Sequence, residues 1–249
     1  MNGTDQQAYD RGTNIFSPDG RLYQVEYARE AVRRGSPSVG VRARDGVVLA
    51  AARHLRSPLL EAESVEKLHA ADDHIGLASA GHVADARRLV DFGRRRAQGD
   101  RLRYGESMDV ESFTKALTDH VQEYTQQGGA RPFGAALLVG GMDGDRPRLF
   151  ETDPSGTPYE WQAAAIGADD AGVREFLEAN YHEDLGVDAA VDLALEALAE
   201  PHEEGLAPES VAVTTVAPEY RELGPDERRS ALDALGLLDD GHEDGDAAA

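Results

Sequence analysis

The apolar periodicity of this chain changes in blocks, and that constrains its fold more than any other feature. A helical repeat comes first: Leu22, Val25, Ala28 and Val32 recur at steps of three and four, and Gly35 is a natural stop. Pro18 and Gly20 favour a tight turn just before it. Strand-like runs follow at about 38–43, 47–52, 67–70 and 75–80; Asp45-Gly46 signals a hairpin between the first two. Two helices are expected next, over about 82–96 and 110–126. The second carries a stripe of Val110, Phe113, Leu117, Val121 and Tyr124, with Asp109 as its N-cap. Strands return at about 133–140, 148–152 and 159–166, separated by turn clusters such as Asp153-Pro154-Ser155-Gly156. Helices at about 170–180 and 187–199, a strand at 211–216 and a helix at 225–235 complete the pattern.

Strands and helices therefore alternate as groups, not one by one. One-by-one alternation would build a doubly wound parallel sheet; grouped alternation favours antiparallel sheets with helices segregated outside them. The expected class is α/β in the broad sense (α+β): a four-layer αββα sandwich of two mainly antiparallel sheets, preceded by an extra N-terminal helix. Residues 13–238 are expected to form one domain. Residues 1–12 are polar and expected to be mobile. Residues 239–249, DDGHEDGDAAA, are acidic and poor in apolar side chains, and are expected to be disordered.

Charge narrows the setting. The chain has 47 acidic and 25 basic residues, a formal net charge of −22, and just two of its basic residues are lysines, Lys67 and Lys115. Repulsion among so many carboxylates opposes the compact state in dilute buffer. At ~1 M salt the Debye length falls to about 3 Å and most of that repulsion is screened. An acidic, arginine-rich, lysine-poor chain fits a cytoplasm of molar salt. The same charge argues against nucleic acid as a partner, which needs a cationic face.

Several chemistries are excluded or unsupported. Without cysteine there is no disulfide, thiolate metal site or cysteine nucleophile. No apolar run approaches the ~20 residues that span a bilayer, and the first residues do not read as a signal peptide, so a cytoplasmic protein is expected. There is no Gly-x-Ser-x-Gly elbow, Walker A loop or His-Glu-x-x-His helix. The eight histidines are scattered, and neither a metal nor a cofactor is implied.

Tyr9-Asp10-Arg11, FSPDGRLYQVEYAREAVRRGS, DGVVLAA, SPLLE, SVEKL, VADARRLV, YTQQGGARPFGAALLVGG and LFETDPSG together resemble the α-type subunits of the archaeal 20S proteasome, over about residues 9–217. The resemblance implies the same sandwich, of the N-terminal-nucleophile-hydrolase kind. It also implies a non-catalytic subunit that joins other α-type subunits in a seven-membered ring and stacks on β-type catalytic subunits. Tyr9, Asp10, Pro18 and Tyr27 match the family's gate residues, and the segment before them resembles the strips that close the axial pore. Lys67 and Gly81 match a pocket that receives the C-terminus of an ATPase activator. His82 departs from the family, where an apolar residue is usual. It implies a different activator tail, or help in binding the carboxylate when protonated, or a tolerated surface change.

The β-type subunits use an N-terminal threonine whose amine and hydroxyl act together. That position falls near Ser36, which is internal, and the supporting acid falls near Ala52. No catalytic residue is therefore expected. The alternative is a self-processing N-terminal-nucleophile hydrolase that cuts before Ser36. The charge generates a first prediction. Assemblies of this chain should hold together in molar salt and dissociate in dilute buffer. Sedimentation across a salt series checks this, and particles equally large at ~0.1 M salt would contradict it.

Overall fold

The structure is a computed structural model that describes residues 16–17, 20–126, 130–201 and 205–239. Its first helix is α1 (Tyr23–Arg33). It follows a turn in which the Gly20 N–H donates to the Ser17 carbonyl at 2.8 Å. Val25, Ala28 and Val32 form the buried stripe of α1, as their spacing requires.

The strands β1 (Ser38–Arg42), β2 (Val47–Ala52), β3 (Leu68–Asp72) and β4 (Ile75–Gly81) come next, followed by α2 (Val83–Tyr104) and α3 (Val110–Gln126). The chain then forms β5 (Ala135–Asp143), β6 (Arg146–Thr152), β7 (Pro158–Glu160) and β8 (Ala163–Ile166). The helices α4 (Asp170–Asn180) and α5 (Val187–Ala199), the strands β9 (Val211–Val216) and β10 (Tyr220–Glu222), and α6 (Pro225–Leu235) complete it. One sheet has the order β10-β9-β2-β1-β8 and the other β3-β4-β5-β6-β7. Every pairing within them is antiparallel.

The layering is legible in β2, VVLAAA, which is buried on both faces. Val48, Ala50 and Ala52 face outward to Leu195, Leu198 and the rest of the α4–α5 layer. Val47, Leu49 and Ala51 face inward to Leu138 and Leu149 of the other sheet. On that second sheet Ile75, Leu77, Leu137 and Val139 pack against Phe113, Leu117 and Val121 of α3. Each fully buried Leu contributes about 1.5–3 kcal/mol relative to an exposed one. The inner layer mixes alanines such as Ala51, Ala78 and Ala136 with Val47, Leu49, Leu138 and Leu149, and leaves little spare room. A Cβ on Gly140 would lie 2.7 Å from Val47 Cγ1.

Three expectations needed revision. The run over 159–166 is two strands: β7 pairs with β6 in one sheet and β8 with β1 in the other. The chain crosses between sheets at Trp161-Gln162. The short β10 lay outside the expected pattern. The helix expected over 82–96 continues to Tyr104, where Gly105 in the left-handed region caps it through an N–H bond to the Arg101 carbonyl at 2.8 Å. The tail expected to be disordered lies outside the described residues, apart from Asp239.

The end of α1 meets the end of β4 through two glycines. A Cβ on Gly35 would lie 2.3 Å from the Gly81 nitrogen, and a Cβ on Gly81 would lie 2.4 Å from the Gly134 carbonyl oxygen. Gly81 also has φ +99°, a region L side chains rarely adopt. Gly81→Ala should therefore destabilise the fold by about 2 kcal/mol or more, lowering Tm by roughly 4–8 °C in molar salt. An unchanged melting curve would contradict this account of the junction.

Candidate functional site

The junction of α1 with β4 forms the back of a cleft of about 1080 Å³. Tyr27 of α1, Ser36, Lys67, Gly81 and His82 all line it. The fold thus gathers four of the sequence-selected positions, Tyr27, Lys67, Gly81 and His82, from three separate stretches of chain. Tyr9, Asp10 and Pro18 lie outside the described residues. Tyr27 is 52% exposed.

Lys67 immediately precedes β3 and is 8% exposed. Its Nζ donates to the Ser36 carbonyl, to Ser36 Oγ at 2.9 Å and to the Pro37 carbonyl at 3.4 Å. No carboxylate is paired with it among the described residues. Burial pushes its amine down to about 7. Lys115 contrasts with it: it is exposed on α3 and paired with Glu111 four residues away at 2.6 Å.

The rim is fixed by a buried carboxylate that sequence reasoning missed. Asp85, in the first turn of α2, is 4% exposed. Its carboxylate accepts from Arg131 Nη1 at 2.6 Å, from Arg131 Nη2 at 3.0 Å and from the Gly134 N–H at 2.9 Å. Burial alone would raise its pKa, but the Arg131 and Gly134 donors hold the carboxyl below the usual range. The Gly134 carbonyl in turn accepts the His82 N–H at 2.7 Å. His82 stands at the N-cap of α2 with its side chain exposed and forms no side-chain capping bond. The only sequence signal for Asp85 was an acidic residue in the first turn of a helix, which is common.

Gly81 was selected as a position that lets another chain approach closely. The geometry adds an internal reason, because Gly35, Val32 and Gly134 of the same chain already crowd it. In the middle of α1, Arg29 donates twice to Asp153, from Nε and Nη2 at 2.9 Å each, and to Glu26 at 2.6 Å. Asp153 opens the turn expected at 153–156, where the Gly156 N–H donates to the Asp153 carbonyl at 2.8 Å. The pair therefore fastens α1 to the end of β6.

The features of an N-terminal-nucleophile centre are incomplete. Ser36 sits between α1 and β1 within the chain, and Ala52 ends β2 without a carboxylate. Among the described residues, no group of three or more His, Asp or Glu is placed to hold a metal ion. No helix of the described residues is long and apolar enough to cross a membrane.

Comparison with known proteins agrees with this architecture. Residues 32–216 match the family model described as proteasome subunit. Residues 9–31 match the N-terminal signature of the A-type proteasome subunits. The chain is 62% identical to the proteasome alpha 1 subunit of Haloferax volcanii, over 94% of each chain. It is 59% identical to the proteasome alpha 1 subunit of Haloarcula marismortui, over 98% of this chain and 95% of the relative. The proteasome alpha 2 subunit of Haloferax volcanii is 54% identical, over 99% of this chain and 98% of the relative. These relatives favour the α-type role over a self-processing hydrolase. With both models matched in sequence along one chain, and α1 running into the sandwich as the signature residues require, this chain belongs to the proteasome subunit family, as an α-type member.

Proposed function

We propose that this chain is a non-catalytic α-ring subunit of a 20S proteasome core, that its Lys67 cleft docks the C-terminus of an activator, and that its first residues gate the pore. It joins other α-type subunits in a seven-membered ring and stacks on β-type catalytic subunits in the cytoplasm. The activator is an ATPase ring whose tails end in a hydrophobic–tyrosine–any residue motif. Its recognition element is a terminal carboxylate.

One observation carries the docking reading. Lys67 is buried at the cleft with carbonyl and hydroxyl oxygens around it and no carboxylate paired with it among the described residues. A buried cation lacking a counter-charge is costly, and an incoming carboxylate relieves that cost. The surrounding groups are in place for a chain end: an exposed His82, a glycine backbone at Gly81 and the phenol of Tyr27. Contact with Tyr27 gives the docked tail a route to α1. The gate residues Tyr9, Asp10 and Pro18 precede α1 and extend that route to the pore.

The gate can be tested by deletion. Removing residues 2–12 should raise peptide hydrolysis by the assembled barrel, because the plug is lost while the β-type sites are untouched. An unchanged rate would remove the gate assignment.

The docking contact can be tested through its charge. Lys67→Ala should abolish stimulation by the ATPase or by a peptide bearing its last residues, since losing such a contact costs on the order of 2–5 kcal/mol. Lower ring yield with normal stimulation of the surviving rings would instead mark Lys67 as structural. The lysine is cationic below its pKa and neutral above it. With that pKa at about 7 in the free cleft, peptide affinity should fall as pH rises past neutrality, by about tenfold per unit. Lys67→Arg stays cationic and should flatten this profile, even if its wider fork binds less well. A wild-type profile that stays flat from pH 6 to about 9 would contradict the role of the lysine charge.

A further inference from the structure

We propose that Glu63 is a positioning residue of the docking cleft, gripped by the buried guanidiniums of Arg53 and Arg228 so that the 54–66 loop stands as one wall. This rests on the docking reading above. None of the three residues lines the cleft, so they act through the loop and not on the chain end.

The loop needs such a hold. It runs from the end of β2 to Lys67 and supplies His54, Arg56, Leu60 and Glu66 to the cleft. Its regular structure is a single short 3₁₀ turn, Ala62–Ser64. Its backbone bonds are local. The N–H groups of Leu60, Ser64 and Val65 donate to the carbonyls of Ser57, Glu61 and Ala62, each at 3.0 Å. Among the described residues, the hydrogen bonds that leave the loop for the rest of the chain are those accepted by the Glu63 carboxylate. A segment with so few tertiary ties opens at low cost.

The two arginines reach the carboxylate from different elements. Arg53 directly follows β2, and its N–H donates to the Ser210 carbonyl at 2.6 Å. Its Nη1 donates to Glu63 Oε1 at 3.1 Å and its Nη2 to Oε2 at 3.0 Å. Arg228 of α6 donates from Nη2 to Oε1 at 2.9 Å. Both arginine side chains are 3% exposed, whereas that of Glu63 is 63% exposed. Glu222, 3.6 Å from Arg53, is a second carboxylate for that residue. Among the described residues, Arg228 pairs with Glu63 alone. A buried cation without its counter-charge is costly, so the carboxylate is drawn to this spot and brings the loop with it. The Arg53 donors, and then Arg228, hold the Glu63 carboxyl below the ordinary range, so it is ionised at neutral pH. Salt screens a pair with buried cations less than one in open solvent, and the grip survives at molar ionic strength.

The consequence is a split between affinity and response. A loose wall must be ordered when a chain end docks, and that cost is taken from affinity. Once the cleft is full the wall is in place, so the maximal response should be retained.

The probe is an acetylated heptapeptide ending Leu-Tyr-Ala with a free C-terminal carboxylate. The protein is the assembled barrel in molar salt. Stimulation of peptide hydrolysis is titrated for the wild type, Glu63→Gln, Arg228→Lys and Lys67→Ala. Amide hydrogen exchange over 54–66 is followed in the same particles without peptide. Glu63→Gln should raise the half-maximal peptide concentration about tenfold and keep the maximum. Its 54–66 amides should exchange about tenfold faster, with β2 and β3 unchanged. Arg228→Lys keeps a cation but loses the guanidinium geometry, and should shift both readouts the same way by less. If Glu63→Gln titrates as the wild type does while Lys67→Ala gives no stimulation, the inference is wrong and the docking reading stands. A lowered maximum at an unchanged half-maximal concentration, or exchange that does not rise over 54–66, also overturns it. If Lys67→Ala responds as the wild type does, the docking reading itself falls and takes the inference with it.

Discussion

The cleft depends on the contact between the Gly35 and Gly81 backbones. Any Cβ at either position would collide with main-chain atoms of the same chain. That approach lets the end of α1 rest on the end of β4, and so places Ser36 over Lys67 and Tyr27 at the mouth of the cleft. Asp85 supports the same junction from behind by tying Arg131 and Gly134 together. Arg29 and Asp153 hold the helix at its middle. Fastened at its middle and at its C-terminal end, α1 lies between the cleft and the residues that precede it. A chain end bound in the cleft would meet that element directly.

The two cation types divide the work. Arginines make the structural pairs: Arg53 and Arg228 both donate to Glu63, and Arg148 reaches Glu111, Asp143 and Glu160. A guanidinium fork suits such shared carboxylates, is never deprotonated and tolerates burial better than an ammonium. Lys67 is different because its charge can be withdrawn. Burial brings it to about 7, which makes the cleft sensitive to both protonation and ligand. In a chain that carries just two lysines, an ammonium at this position is a choice of chemistry rather than of charge alone.

Most of the layering is legible in the sequence because apolar period survives in long elements. The stripes of α1 and α3 and the two-sided burial of β2 follow from spacing alone. What escapes is short or local. A run such as Tyr159 to Ile166 reads as one strand, because periodicity cannot show that the chain leaves one sheet and enters the other at Trp161. The three residues of β10 carry no period at all. Periodicity ends α2 too early, before Gln98-Gly99-Asp100, where polar residues and a glycine resemble a stop; the true stop is the left-handed Gly105. At the site, Lys67, Gly81, His82 and Tyr27 stand out through family resemblance, and the fold brings them together. Asp85 and Arg131 are 46 residues apart, and nothing in their local sequence links them. By sequence, Ser36 is only the position of a missing nucleophile. Its proximity to Lys67 is a product of tertiary structure and lies beyond any local pattern.

The most direct test of the account is a cryo-EM map of the assembled barrel saturated with the free-acid peptide in molar salt. The account predicts peptide density in the cleft beside α1, with the terminal carboxylate about 3 Å from Lys67 Nζ. A cleft that stays empty at saturation, or a chain end bound away from Lys67, would contradict it.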